Sequence, residues 1–163
     1  MREPDAPVDP DVDVHVPAVR AEARSHRAWP VLVAVSAGGV AGALARYQLA
    51  VVLPHPPGGF PWSTFVANAS GCLLIGVLMV LVGEVWTGRR LLRPFWGVGV
   101  LGGYTTFSTY VIDIHQAMRA GAAAVALAYL AATLVAALAA VWAGTAMTTW
   151  ALSAARRRRR RRR

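Results

Sequence analysis

The chain has 163 residues, of which 56% are hydrophobic, and it carries a formal net charge of +9. This much apolar surface, arranged in long blocks, exceeds what one small soluble core can bury, so we predict that most of it faces lipid. The basic residues are all Arg and lie beside the apolar blocks or in the terminal run 156–163, which argues against a nucleic-acid partner.

Residues 1–28 precede the first apolar block and combine four prolines with several acidic residues. Such a segment cannot bury enough apolar area to offset the entropy lost on ordering. It also lacks the basic start and short apolar core of a secretory signal. We therefore predict a disordered cytoplasmic leader over residues 1–28.

Four apolar stretches follow, and each reaches the length of about 20 residues that a helix needs to cross a bilayer. They are predicted as spans at about residues 29–53, 62–85, 94–118 and 122–151. The sequence thus predicts an all-α integral membrane protein, with a four-helix domain over residues 29–152 and an Arg-rich cytoplasmic tail over residues 153–163.

The arginines next to the spans predict the orientation, because cytoplasmic loops carry the positive excess. With four spans, the two termini and the second loop share one side. That side holds Arg20, Arg24 and Arg27 just before the first span, three arginines in the second loop and eight in the tail, against Arg119 alone on the other. Both termini are therefore predicted to be cytoplasmic.

Glycine and hydroxyl residues interrupt the third predicted span, in the run Gly-Gly-Tyr-Thr-Thr-Phe-Ser-Thr-Tyr at 102–110. A helix can break inside a membrane only where protein or a water-filled passage satisfies the freed backbone groups. Carbonyls freed by a break, and the nearby hydroxyls, could meet ions. The alternative is that the glycines permit close helix packing while the hydroxyls bond back to their own helix.

The same run resembles the Gly-Gly-x-Thr-Thr-Phe-Ser-Thr-Phe element of bacterial fluoride channels of the CrcB/Fluc family. Two further motifs resemble that family in the same order. The first span carries Gly-Gly-Val-Ala-Gly-Ala-Leu-Ala-Arg-Tyr at 38–47, and the second carries Thr-Phe-Val-Ala-Asn-Ala-Ser-Gly at 64–71. The resemblance covers about residues 31–150 and omits the leader and the Arg tail.

This resemblance implies an antiparallel, dual-topology dimer with two fluoride pores and one structural sodium ion at its centre. Gly102 and Thr105 match the residues whose backbone carbonyls hold the sodium. The pore residues that the resemblance implies are Asn68, Phe107, Ser108, Thr109 and Tyr110.

The sequence departs from the family pattern at two positions. Tyr110 stands where the second pore phenylalanine is expected, and Ala67 replaces the valine before the asparagine. Tyrosine keeps an aromatic edge but adds a hydroxyl that needs a partner when buried.

Two charged residues within the spans are further candidates, because charges inside a membrane are costly. Arg46, deep in the first span, acts at the pore mouth or dimer contact, or else snorkels to the interface. Asp113 matches an acidic position of the family and is expected to orient structure, and Tyr129 is expected to add a polar contact from the fourth span.

We therefore predict a non-enzymatic, fluoride-specific channel of the plasma membrane that lowers cytoplasmic fluoride by passive export. One alternative is a small four-span proton-coupled multidrug exporter, although the first span lacks the acidic residue expected of it. The other is a membrane scaffold without transport.

The arginine bias also bears on the partner subunit. A homodimer of opposite orientations needs a chain that inserts both ways, whereas fourteen arginines against one favour a single orientation. This favours a heterodimer with a sister subunit of opposite bias over a homodimer. The tail could instead bind anionic membrane lipid, at about 1 kcal/mol per Arg, or override orientation without altering the pore.

Overall fold

Two long helices begin the folded part of the chain. A computed structural model describes residues 29–86, 89 and 91–161, with side chains to residue 158, so the predicted leader 1–28 lies outside the described residues. Helix α1 spans Trp29–Val52 and helix α2 spans Trp62–Glu84. The uncharged, proline-rich connection between them contains Gly58 with φ 81°, a left-handed conformation that glycine adopts at little cost.

The next stretch of chain is helical in two pieces. A π-helix, Arg93–Leu101, runs directly into one α-helical turn, Gly102–Tyr104, and we call these two together α3. After two extended residues, helix α4 spans Phe107–Arg119. Helix α5 then spans Ala123–Arg161.

Within the part of the chain that the structure describes, three helices are long and apolar enough to cross a membrane, namely α1, α2 and, within α5, the stretch Ala123–Arg158. The chain is therefore a multi-pass, all-helical membrane protein. The region predicted as the third span, residues 94–118, is occupied by α3 and α4.

The helices pack mainly in two pairs, α1 against α3 and α2 against α5. Glycines set the separation in both pairs. A Cβ added to Gly144 of α5 would overlap the carbonyl oxygen of Leu73 on α2, and one added to Gly38 of α1 would overlap the carbonyl oxygen of Phe95 on α3. Small residues allow this close backbone approach, which is the main attraction between helices where lipid removes the hydrophobic drive.

Two features differ from the sequence-based expectation. The π-helix was not predicted, and it lies where the glycines of α1 come closest to the backbone of α3. The last helix also continues past residue 151 into the arginine run. Arginine is a good helix former, so the run prolongs the helix, and Arg156 forms an ion pair with Glu84 at the end of α2 at 2.9 Å.

Candidate functional site

The helix interruption lies at Thr105 and Thr106, between α3 and α4. Both residues have extended backbone, with φ −83° and ψ 157° at Thr105 and φ −152° and ψ 127° at Thr106. Thr106 is only 8% exposed. A buried interruption of this kind needs hydrogen-bond partners from elsewhere in the protein.

Asn68 on α2 supplies those partners to Thr106. Its Nδ2 donates to the Thr106 carbonyl oxygen at 2.9 Å, and its Oδ1 accepts from the Thr106 backbone N–H, also at 2.9 Å. The carboxamide thus mimics a neighbouring backbone and uses one of its two amide N–H groups in doing so. Asn68, which the sequence analysis assigned to the pore, also holds the interruption in place.

The side chain of Thr106 caps α4. Its Oγ1 accepts from the Thr109 backbone N–H at 3.2 Å, as an N-cap threonine does, and donates to Thr109 Oγ1 at 3.1 Å. Ser108 Oγ lies 3.3 Å from the same oxygen. The three hydroxyls form one cluster at the start of α4, and Ser108 and Thr109 are the two that the sequence analysis named.

Because of these hydrogen bonds, two backbone carbonyls lose the N–H groups that would bond to them in a continuous helix. In an unbroken helix the Thr106 N–H would bond to the Gly102 carbonyl, but it donates to Asn68 instead. The Thr109 N–H would likewise bond to the Thr105 carbonyl, but it donates to Thr106 Oγ1. Gly102 and Thr105 are the two residues whose carbonyls the family resemblance implied as cation ligands.

Two cavities flank the interruption, and Thr106 lines both. The larger, about 720 Å³, is mostly apolar. Of the predicted site residues, five line it: Asn68, Gly102, Thr105, Phe107 and Tyr110. The smaller, about 490 Å³, is more polar, and three predicted residues line it: Arg46, Thr109 and Asp113. Ser108 is exposed and joins the site through Thr106.

The smaller cavity, which we call the polar chamber, holds a cation and a carboxylate. Arg46 is half-buried and Asp113 is 7% exposed. Arg156 and Glu84 form the only ion pair within the described residues, so Arg46 and Asp113 share the chamber without a salt bridge. The buried Tyr129 of α5 places its hydroxyl 3.4 Å from Asp113 Oδ2, as donor. The chamber thus presents a positive charge, a carboxylate and several hydroxyls to whatever enters it.

Aromatic side chains edge the larger cavity. Phe107 is 76% exposed, and its ring centroid lies 5.9 Å from that of Tyr110. The Tyr110 hydroxyl donates to the Leu130 carbonyl oxygen at 3.0 Å, so the additional polar group of this tyrosine has a partner. Tyr110 also packs against Tyr129, with ring centroids 5.2 Å apart.

The sequence analysis missed two polar residues of the site. Thr106 was noted only as one of several hydroxyls, although its position three residues before Thr109 is the N-cap spacing. Thr133 on α5 lines the larger cavity, and its Oγ1 is buried with no hydrogen-bond partner among the described residues. A lone threonine in a long apolar helix gives no sequence signal, because its hydroxyl ordinarily bonds to its own helix.

The fold and the site define a small multi-pass membrane protein whose polar groups gather around an interrupted helix. The family model described as "CrcB-like protein, Camphor Resistance (CrcB)" matches residues 33–145, and the chain belongs to this family. The family assignment from the three sequence motifs is thereby confirmed.

Curated relatives agree with this assignment. The chain is 57% identical over 126 residues to fluoride-specific ion channel FluC 2 of Nocardia farcinica, covering 77% of this chain and 90% of the relative. Two relatives come from Streptomyces avermitilis. FluC 2 is 54% identical over 121 residues, covering 72% of this chain and 77% of the relative, and FluC 3 is 44% identical over 130 residues, covering 80% and 64%.

Proposed function

We propose that this protein is a fluoride-specific ion channel that lowers cytoplasmic fluoride by passive export across the plasma membrane, without enzymatic activity. The relatives named fluoride-specific ion channels support the substrate. The single structural observation that carries the proposal is the interruption at Thr106, which Asn68 holds open between two cavities. With a negative cell interior, expelling an anion is favoured by about 2.3 kcal/mol per 100 mV, so no energy source is required.

The groups around the interruption suit a small anion. Moving even a carboxylate-sized ion from water to low dielectric costs on the order of 20 kcal/mol in the Born limit, so donors must replace its hydration. Amide N–H groups, hydroxyls and the positive edge of an aromatic ring are such donors. Because these donors are neutral, they admit an anion without trapping it, as conduction requires.

The polar chamber is proposed as the vestibule of this path. Arg46 attracts an anion from water, while the buried carboxylate of Asp113 has the Tyr129 hydroxyl as its partner. From the chamber an anion meets the hydroxyls of Thr109 and Thr106 and then, beyond the interruption, the Thr133 hydroxyl and the aromatic edges of Phe107 and Tyr110.

The proposed topology has four spans, with α3 and α4 together forming an interrupted third span and both termini cytoplasmic. The proposed assembly is an antiparallel dimer. Gly102 is exposed and Phe107 is 76% exposed in the single chain, beside carbonyls whose helical donors are diverted. Lipid cannot satisfy such carbonyls, and this supports a second subunit that covers the face.

The proposed structural sodium fits the same face. Hard carbonyl oxygens are the ligands that stripped alkali cations receive in proteins, and the Gly102 and Thr105 carbonyls have lost their helical donors. A Cβ added at Gly102 would meet no atom within 4 Å, so the backbone there is open to approach. The ion would supply a positive charge that ties the exposed carbonyls together.

A heterodimer is the favoured form of this dimer. The arginine bias of fourteen against one favours a single orientation for this chain, so the antiparallel partner must be a sister subunit of opposite bias. The FluC 2 and FluC 3 relatives from one Streptomyces species support the existence of such sister chains.

The experiment that tests the function is fluoride efflux from liposomes, recorded with a fluoride electrode. We expect efflux when this chain is reconstituted with its sister subunit, and little when it is reconstituted alone. Equal, rapid efflux by the chain alone would establish a homodimer. No efflux in either preparation would overturn the channel and favour the scaffold, whereas efflux that needs a proton gradient would favour the exporter.

Tyr110→Phe is expected to preserve fluoride efflux. The substitution keeps the aromatic edge and removes only the hydroxyl, which donates to the Leu130 carbonyl rather than facing the cavity alone. The loss of that bond is expected to cost about 1 kcal/mol of stability. Liposome flux and a thermal unfolding curve measure the two effects, and a loss of flux at unchanged stability would assign the hydroxyl to the conducting path.

A further inference from the structure

The arginine run at the end of the chain is held at a defined height by the packing of α5 on α2. Gly76 of α2 lies against the backbone of Val141 and Thr145, and Gly144 of α5 lies against the Leu73 carbonyl. Carried forward along the two helices, this register brings Glu84, the last residue of α2, level with about Ser153. Arg156 therefore lies about one helical turn past the end of α2.

The ion pair between Arg156 and Glu84 agrees with this register. The two side chains meet at 2.9 Å, and α5 continues as a helix to Arg161. At 1.5 Å per residue, residues 156–161 occupy roughly the first 12 Å beyond the end of α2. The 23 residues of α2 measure about 35 Å, slightly more than the hydrocarbon core of about 30 Å, so a spanning α2 ends near the edge of that core. The polar layer beyond it is about 5 to 8 Å thick, so the run begins within that layer or at its outer edge. Trp150, 73% exposed and one to two turns earlier, has the position of an interfacial tryptophan.

The charge at this end of the molecule has little internal compensation. Six of the eight acidic residues lie in residues 1–28, and the other two are Glu84 and Asp113. Glu84 pairs with Arg156, and Asp113 lies in the polar chamber. Arg157 and Arg158 are exposed. Because successive residues of a helix point about 100° apart, the exposed Arg157 and Arg158 project from the helix in different directions.

We propose that this helical arginine segment, residues 156–161, is a binding surface for the headgroups of anionic phospholipids. The guanidinium group forms charge-assisted, often bidentate hydrogen bonds to phosphate oxygens. The segment begins at the height of the headgroups, and its consecutive positions lie on different sides of a helix, so it can meet lipid phosphates from more than one direction. The anionic lipids gathered there anchor the end of α5 at its membrane face.

Lipid is the favoured occupant over the acidic residues of the leader. The helix passes the headgroup layer by necessity, so its arginines meet lipid at high local concentration. Any segment of the chain that bound there would have to be ordered at a cost in conformational entropy, whereas lipid is already present. Its carboxylates nevertheless have the right charge, and the experiment must separate the two occupants.

Quenching of Trp150 fluorescence by spin-labelled lipid tests the proposal. The full-length protein is reconstituted in phosphatidylcholine vesicles that contain, at equal mole fraction, labelled phosphatidylglycerol or labelled phosphatidylcholine. Subtracting the spectrum of a Trp150→Phe variant isolates the Trp150 signal. The test variant carries Arg157→Gln, Arg158→Gln, Arg160→Gln and Arg161→Gln and keeps the Arg156–Glu84 pair. Arg119→Gln is the control, because Arg119 ends α4 and lies four residues before α5 begins, at the other end of α5 from the arginine segment.

We expect labelled phosphatidylglycerol to quench Trp150 several-fold more effectively than phosphatidylcholine, since each arginine near a membrane surface strengthens association roughly fivefold. The preference should weaken in high salt and fall severalfold in the four-glutamine variant, which should keep the wild-type elution profile. Arg119→Gln should retain it.

Two results would overturn the proposal. The first is equal quenching by both lipids in the wild type, or a preference that keeps its wild-type size after the four glutamine substitutions. The second is a preference that appears only after Asp5→Asn, Asp9→Asn, Asp11→Asn and Asp13→Asn are introduced together, because the leader would then be the occupant in the native chain.

Discussion

Asn68→Asp is expected to abolish fluoride efflux from liposomes that contain this chain and its sister subunit. Asn68 both donates to and accepts from the backbone of Thr106, at 2.9 Å in each case. An aspartate has no N–H, so a carboxylate oxygen would face the Thr106 carbonyl oxygen. Losing a buried hydrogen bond in this way costs about 1–3 kcal/mol before any repulsion is added. The new negative charge would also repel the anion.

Cys72→Ser is the matched control for this substitution. Cys72 lies one turn further along α2 and lines the same cavity, but it makes no bond to the interruption. It is expected to keep efflux within a small factor of the wild type. If Asn68→Asp retained wild-type flux while remaining folded, Asn68 would be removed from the conducting path and the proposed function would lose its structural basis.

The sequence predicts a candidate site at residues 102–110, because glycine and hydroxyl residues are unusual in the middle of an apolar stretch. Two residues of that run, Thr105 and Thr106, have extended backbone between helices, and the role of the run as an ion site stays a prediction. The three motifs also identified the family correctly. These features depend on residue types that lie close together in the chain, and such signals survive without a structure.

The hydrogen bonds that hold the site together could not be predicted in this way. Asn68 and Thr106 are separated by 38 positions, and their pairing depends on how α2 packs beside the interruption. The same holds for Tyr110, whose hydroxyl finds the Leu130 carbonyl on another helix. A sequence motif assigns a residue to a site, but tertiary packing decides which of its polar atoms remain for an ion.

The π-helix at Arg93–Leu101 illustrates a different limit. Its residues carry no local pattern that separates a π-helix from an α-helix, apart from Pro94 at its start. The widened backbone lies against glycines of α1, so its geometry is a property of the helix pair. This packing matters for function because α3 contains Gly102 and leads directly into the interruption. Any shift of α3 against α1 would therefore move Gly102 as well.

Gly42→Ala is accordingly expected to destabilise the protein and to reduce the yield of folded channel. A Cβ on Gly42 would overlap the Val100 carbonyl oxygen and lie 2.8 Å from the Tyr104 backbone nitrogen. Both atoms belong to backbone, so the helices themselves must separate. Overpacking of this kind costs about 1–3 kcal/mol or more. We expect the unfolding midpoint to fall by roughly 3–10 °C in a fluorescence-detected thermal shift measurement.

Gly39→Ala separates this steric effect from a general effect of adding a methyl group to α1. Gly39 is three residues away on the same helix, and a Cβ there would meet no atom within 4 Å. Alanine also favours a helix over glycine by about 1 kcal/mol, so Gly39→Ala is expected to be neutral or stabilising. The same gain in helix propensity applies at Gly42. A lower unfolding midpoint for Gly42→Ala therefore means that the steric overlap costs more than this gain. Equal midpoints for the two variants would mean that α1 and α3 do not pack this closely. The packing of these two helices would then not explain the position of Gly102 and of the interruption.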